Sequence, residues 1–252
     1  MTASSRQERE RAHWRAWQEQ ADDVWGWRTP AGRNRAERRA ESFRRLGHMG
    51  PQSEVLEVGC GTGEFTVRVA PHLGHLTATD LSPDLLVRAR ERIARDCPSA
   101  NVGFEVQDVM SLTFAEGAFD TVFGCSVLHH VDASAALREV HRVLKPDGWC
   151  VFSEPNMMNP QIAIQKNVRF VKTRMADTPD ETAFFRWKVK RLLERSGFER
   201  IQVDNFDFLH PLTPPRLIPF IERIGKIAEA CPLLREFSGS LIFCARKAGR
   251  SS

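Results

Sequence analysis

No stretch of the 252-residue chain approaches the roughly 18–20 consecutive apolar residues of a membrane-spanning helix, so an integral membrane protein is not expected. The opening residues, MTASSRQERERAHWRAWQEQ, lack the apolar centre of a secretory signal, which points to a cytoplasmic protein with no membrane partner. The six cysteines (Cys60, Cys97, Cys125, Cys150, Cys231, Cys244) include no CxxC pair and no metal-finger spacing. Several lie in apolar runs, so reduced thiols in a core are the expected state. Internal repeats and low-complexity tracts are also missing. The net charge of +4 is confined to one end: residues 1–50 hold 11 Arg against 7 acidic residues, and the remaining 25 basic and 25 acidic residues cancel. A neutral remainder without an appended RNA-binding module argues against a nucleic-acid partner.

What is present is a chain long enough for one sizeable α/β core carrying additional segments. Residues 6–21 and 33–46 are rich in Arg, Glu and Ala, with Trp14, Trp17, Phe43 and Leu46 at helical intervals; Trp25 to Gly32 breaks the pattern. From residue 54 short apolar strands alternate with helices. Strands are expected at Val55–Val58, Leu76–Thr79, Val102–Val106, Phe119–Phe123 and Trp149–Ser153, and helices at Glu64–Ala70, Pro83–Asp96 and Ala133–Leu144. This alternation implies parallel βαβ units in one doubly wound sheet, with ligands outside the carboxyl ends of the strands. Residues 155–180 read as a polar connection, Glu181–Ser196 as a helix, and Arg200–Phe208 and Ser240–Arg246 as closing strands. Residues 209–237, with five prolines around one apolar helix, suit a lid or substrate wall.

The chemistry concentrates at strand ends. Val55–Val58 runs into Gly59-x-Gly61-x-Gly63 and then a helix, an arrangement that lets the backbone turn tightly beneath a ligand. A dinucleotide fingerprint would need glycine at position 64, where this chain has Glu64, which argues against NAD or FAD. Asp80, ending the second strand, is placed to accept hydrogen bonds from ribose hydroxyls. Asp108, ending the third, is placed to accept from an adenine amino group. The plainer reading of both acids is a helix cap or a loop carboxylate.

The ordered motifs EVLEVGCGTGEFT, ATDLSPDLL, VQDV, FDTVFGCSVLHHVD and REVHRVLKPDGWCVFSEPN resemble those of class I methyltransferases that depend on S-adenosylmethionine (SAM). The resemblance covers about residues 50–155, with GSLIFCARK as a family-like final strand. It implies a Rossmann-like sheet of seven strands whose last strand runs antiparallel between its neighbours. It also implies a methyltransferase domain over 51–252, preceded by a helical cap at 1–50 and carrying substrate-pocket insertions at 155–190 and 209–237. For the cofactor it implies Gly59, Cys60, Gly61 and Gly63 beside the methionine moiety, Glu57 orienting the turn or the amino group, Asp80 on the ribose, and Leu81, Asp108 and Val109 around the adenine. Cys125 and Ser126 would pass close by.

His129 and His130 follow the fourth strand, where a neutral imidazole can take a proton from an attacking hydroxyl or amine; the alternative is a packing or hydrogen-bonding role. A metal reading of His129-His130-x-Asp132 is disfavoured, because adjacent residues on an extended segment point in opposite directions and no second ligand cluster accompanies them. Glu154, Asn156 and Asn159 leave the fifth strand beside the expected methyl site and are candidates for positioning the acceptor, although Asn and Pro equally build plain loops. Trp25, with the other early tryptophans, either covers the cofactor and stacks on a flat acceptor, as a substrate-binding residue, or packs on the core. The leading expectation is methyl transfer to a small specialised metabolite, with O-methylation ahead of N- or C-methylation. An RNA or protein acceptor comes second: the (D/N)PPY-type signature of many base methylases is absent, and the chain has no tyrosine. A SAM-binding protein without turnover comes third.

Overall fold

The structure, a computed structural model, describes residues 21–168 and 182–249. Trp14, Trp17, most of the helix expected over 6–21 and part of the 155–190 insertion lie outside the described residues.

Seven strands form one sheet: β1 (Glu54–Val58), β2 (His75–Asp80), β3 (Val102–Val106), β4 (Phe119–Cys125), β5 (Leu144–Pro155), β6 (Phe198–Phe206) and β7 (Ser240–Lys247). Their order is β3-β2-β1-β4-β5-β7-β6, and β7 runs antiparallel to both β5 and β6. The chain winds outward from β1 to β3, then returns to place β4 on the other side of β1. The crevice at the carboxyl ends of β1 and β4 is therefore the switch point where α/β sheets bind ligands.

Alternate residues of the central strands feed two cores, which is why those strands read as continuous apolar runs. On one face Leu56, Val58, Val122, Phe152 and Phe243 pack with Leu137, Val140 and Val143 of α5 (Ala133–Val143) and with Val189 and Leu193 of α7 (Arg186–Arg195). On the other, Val55, Phe123, Val151 and Ile242 meet Ala36, Ala40 and Phe43 of α2 (Pro30–Leu46) and Val69 of α3 (Thr66–Val69). Each large side chain buried this way contributes about 1.5–3 kcal/mol.

The start of α2 differs from expectation. Residues Thr29 to Gly32 were expected to break the helix, but Thr29 is its N-cap, accepting from the Gly32 amide at 2.9 Å, and Pro30 occupies the first turn, where its missing N–H costs nothing. Gly32 is required by packing, since a Cβ there would lie 1.8 Å from the Gly26 carbonyl oxygen. Preceding it is a short α1 (Ala21–Val24), and α4 (Pro83–Asp96) starts on a Ser82 cap. The expected connection over 155–180 contains a helix, α6 (Pro160–Asn167); none of its residues is buried, so it left no periodic signal. The segment before β7 holds α8 (Ile218–Ala230).

Candidate functional site

Turning β1 into α3 requires positive φ at Gly59, Gly61 and Gly63. A Cβ on Gly59 would come within 2.4 Å of a Val127 methyl, and one on Gly61 within 3.0 Å of the Trp25 ring. The backbone is thus bared between the loop after β4 and an indole from the N-terminal segment. That segment is tied down by Asp22, a buried acid that accepts from Thr62 and pairs with Arg92, which in turn pairs with Glu64. Beneath the turn Glu57 is buried and accepts from the Thr66 hydroxyl at 2.6 Å; desolvation pushes its pKa up to about 8, so it is largely protonated at neutral pH.

At the end of β2 the two oxygens of Asp80 each accept one backbone N–H, from Gly61 at 2.9 Å and from Ser82 at 2.8 Å. Burial raises its pKa while those amides oppose the rise. The carboxylate keeps lone pairs for further donors. Asp108 accepts from the Met110 amide at 2.9 Å, which turns the chain so that Val109 packs inward.

After β4, Ser126 adopts φ of 58° and its amide bonds the Ser153 carbonyl. Residues Leu128–His130 then form a 3₁₀ turn. The histidines were expected to diverge as on an extended segment. In the turn their rings instead lie side by side, with centroids 4.1 Å apart and planes tilted by 37°, because a 3₁₀ turn rotates each residue by about 120° rather than 180°. Nδ1 of buried His129 lies 2.7 Å from Oε2 of Glu154, and Oε1 of the same carboxylate accepts from the amides of Val127 and Leu128. Desolvation, with His130 alongside, lowers the His129 pKa, so the ring is neutral near pH 7. Among the described residues, no group of three His, Cys, Asp or Glu side chains is arranged to hold a metal.

These elements surround a cleft of about 490 Å³, within the usual range of small-molecule sites. Of the residues singled out from sequence, Trp25, Gly59, Cys60, Gly61, Asp80, Leu81, Asp108, Val109, Cys125, Ser126, His129, His130 and Asn159 line it. Glu57, Gly63, Glu154 and Asn156 do not. Gly63 packs against Ala89 of α4. Glu154, expected to meet an acceptor, lies wholly buried beneath the histidine turn. Asn156 is buried as well: its amide donates to the carbonyls of Glu236 and Ser238, and its oxygen accepts from Met158. Asn159 lines the cleft while capping α6 through the Gln161 and Ile162 amides. The Cys125 thiol is pushed up to about 11 by burial and is no nucleophile at neutral pH.

Among the lining residues that escaped the sequence reading, Arg35, Arg39 and Asp207 form a charged cluster. Arg35 and Arg39, one turn apart on α2, both pair with Oδ2 of Asp207, at 2.7 and 2.8 Å, and Arg39 also donates to the hydroxyl of Ser240 at 2.7 Å. Two guanidinium groups, Arg39 buried and Arg35 partly so, sharing one carboxylate leave this wall with an excess of positive charge. An Arg-rich helix ordinarily reads as a solvated face; the only signal for burial was the row of Ala36, Ala40 and Phe43 beside these arginines.

The methyltransferase-domain family matches residues 55–148, the stretch that runs from the glycine turn through the histidine turn to β5. That match places this stretch among the class I SAM-dependent methyltransferases. Their cofactor is SAM. Over 130 residues the chain is 33% identical to nodulation protein S of Sinorhizobium fredii, covering 50% of this chain and 58% of that protein. Over 154 residues it is 28% identical to the O-methyltransferase rstn1 of Aspergillus nomiae, covering 59% and 65%. The chain therefore spans less than two thirds of either relative. Its fold is similar to that of phosphoethanolamine N-methyltransferase 2 of Haemonchus contortus in complex with S-adenosyl-L-methionine, with a TM-score of 0.61, 18% identity and coverage of 90% and 56%. The residues present fit such a cofactor: bared glycine backbone that any Cβ would fill, and an Asp80 carboxylate fixed by two amides with acceptor capacity to spare.

Proposed function

We propose that this chain transfers a methyl group from SAM to a hydroxyl of a small-molecule acceptor, with His129 as the general base. The observation that carries this reading is the buried His129–Glu154 pair at the cleft wall. With a carboxyl oxygen of Glu154 as the acceptor, the ring proton is held on Nδ1 and Nε2 is the basic nitrogen. Desolvation keeps that nitrogen unprotonated at neutral pH, the state a base needs.

The roles divide along the sheet. Gly59 and Gly61 offer close backbone approach, Asp80 takes the ribose hydroxyls, and Asp108, Val109 and Leu81 surround the adenine. SAM supplies the electrophilic methyl group, so the protein has only to orient an acceptor in line with it, exclude water and remove one proton. Trp25, α6 and the segment around Asp207 to Pro211 form the outer walls, in keeping with an acceptor pocket built from the N-terminal cap and the two insertions. The O-methyltransferase among the relatives supports oxygen as the accepting atom.

Replacing His129 by alanine tests this. Turnover should fall by about 10²–10⁴ while SAM affinity stays within a few fold. Full turnover in that variant would remove His129 as the base.

A further inference from the structure

Helix α8 sorts its charges by side. Its acids face the body: Asn34 donates to Glu222 at 3.0 Å, and Glu229 makes a two-pronged pair with Arg38 while accepting from the Asp207 amide at 2.8 Å. Its bases face outward: Arg223 and Lys226 are exposed, as is Arg216 just before the helix. Ile218, Gly225 and Ala228 anchor the inner side. The outer side carries Phe220, Ile224 and Ile227, spaced i, i+4, i+7 and exposed by 61%, 46% and 63%. Leu217, just before the helix, and Leu233, three residues after it, are exposed too, by 49% and 80%.

Helices on soluble surfaces turn polar residues to water, and an apolar stripe of this size marks an interaction face. We propose that this face docks the protein on an anionic lipid surface, with α8 lying flat and its apolar side chains inserted. Basic residues bordering an apolar helix face, with the acids withdrawn to the other side, are the charge pattern that anionic headgroups complement. A second copy of the chain fits worse, because a two-fold contact would set Arg216, Arg223 and Lys226 against their own equivalents. Lying flat does not conflict with the absence of an apolar span: α8 has 13 residues, and among the described residues no helix is long and apolar enough to cross a membrane. Ile218 shares a small core with Leu209, a residue of the cleft wall, so the docked face stands beside the acceptor pocket.

The test is flotation of the full chain with two kinds of vesicle, phosphatidylcholine alone and phosphatidylcholine mixed with phosphatidylglycerol. The chain should float with the mixed vesicles only, and less so at high salt. The variant Phe220→Ser/Ile224→Ser/Ile227→Ser and the variant Arg216→Gln/Arg223→Gln/Lys226→Gln should each weaken binding about tenfold or more, with melting temperature and SAM affinity unchanged. A wild-type chain that stays in solution with the mixed vesicles overturns the proposal, as does binding that neither variant weakens. Vesicle-independent dimers abolished by the serine variant would overturn it in favour of a self-association face.

Discussion

Glu154 binds Nδ1 of His129 at 2.7 Å and, through its other oxygen, the amides of Val127 and Leu128. One buried carboxylate thereby sets the shape of the loop and the tautomer of the imidazole. Glu154→Gln keeps an acceptor for the two amides but turns an NH₂ toward Nδ1. The proton is then favoured on Nε2, the nitrogen that has to be unprotonated to act as the base. Turnover should drop about 10²-fold or more with little change in SAM affinity, as steady-state kinetics beside calorimetry would show. Unchanged turnover would reduce Glu154 to a loop support.

Activity should also follow the His129 titration. Its pKa is lowered by burial and by His130, so the acid limb of the rate profile should have its midpoint below the usual histidine value of about 6.5. The rate rises with pH through that midpoint and then levels. A midpoint above 6.5 would assign the limb to another group.

Asp80→Ala removes the proposed ribose acceptor and also frees the amides of Gly61 and Ser82. With charge-assisted hydrogen bonds contributing about 1.5–3 kcal/mol each, S-adenosylhomocysteine should bind about 100-fold more weakly by calorimetry. Undiminished affinity would place the ribose elsewhere.

Gly59→Ala meets two obstacles, a φ of 65° and a Val127 methyl 2.4 Å from the new Cβ. Stability should fall by about 1–3 kcal/mol in denaturant titrations. Adding Val127→Ala should recover the steric part and leave the backbone part. No recovery would mean that Val127 is not the obstacle.

Buried Glu57 makes stability depend on pH in an unusual direction for a carboxylic acid. Its folded pKa is raised to about 8, so between its unfolded value of 4.5 and about 8 the folded state holds a proton that the unfolded state releases. Stability from this group is full below 4.5 and declines as pH rises toward 8. Glu57→Gln should remove that decline, as seen by comparing thermal melts of the two proteins across the window. A wild-type decline that persists in the variant would point to another group.

Much of this was legible in the residues. The strands carry dense apolar runs because both faces of the sheet are covered, and the glycines, Asp80 and Asp108 stand at fixed offsets from strand ends, where backbone geometry leaves few alternatives. The antiparallel β7 came only with the family resemblance, since nothing in GSLIFCARK encodes direction. Glu154 was misplaced because its role depends on a contact with His129 that is 25 residues away in the chain. The exposed α6 and the Arg35–Asp207–Arg39 cluster were missed for related reasons: the helix buries no face to mark its period, and the cluster joins residues 172 positions apart.

The most direct test of methyl transfer to a hydroxyl is to incubate the intact chain with methyl-labelled SAM and a pool of small metabolites, then locate the label in the product by mass spectrometry. The account predicts label on an oxygen of a small molecule, lost in the His129→Ala variant. Label appearing on RNA or protein, or on no small molecule while SAM still binds, would contradict it.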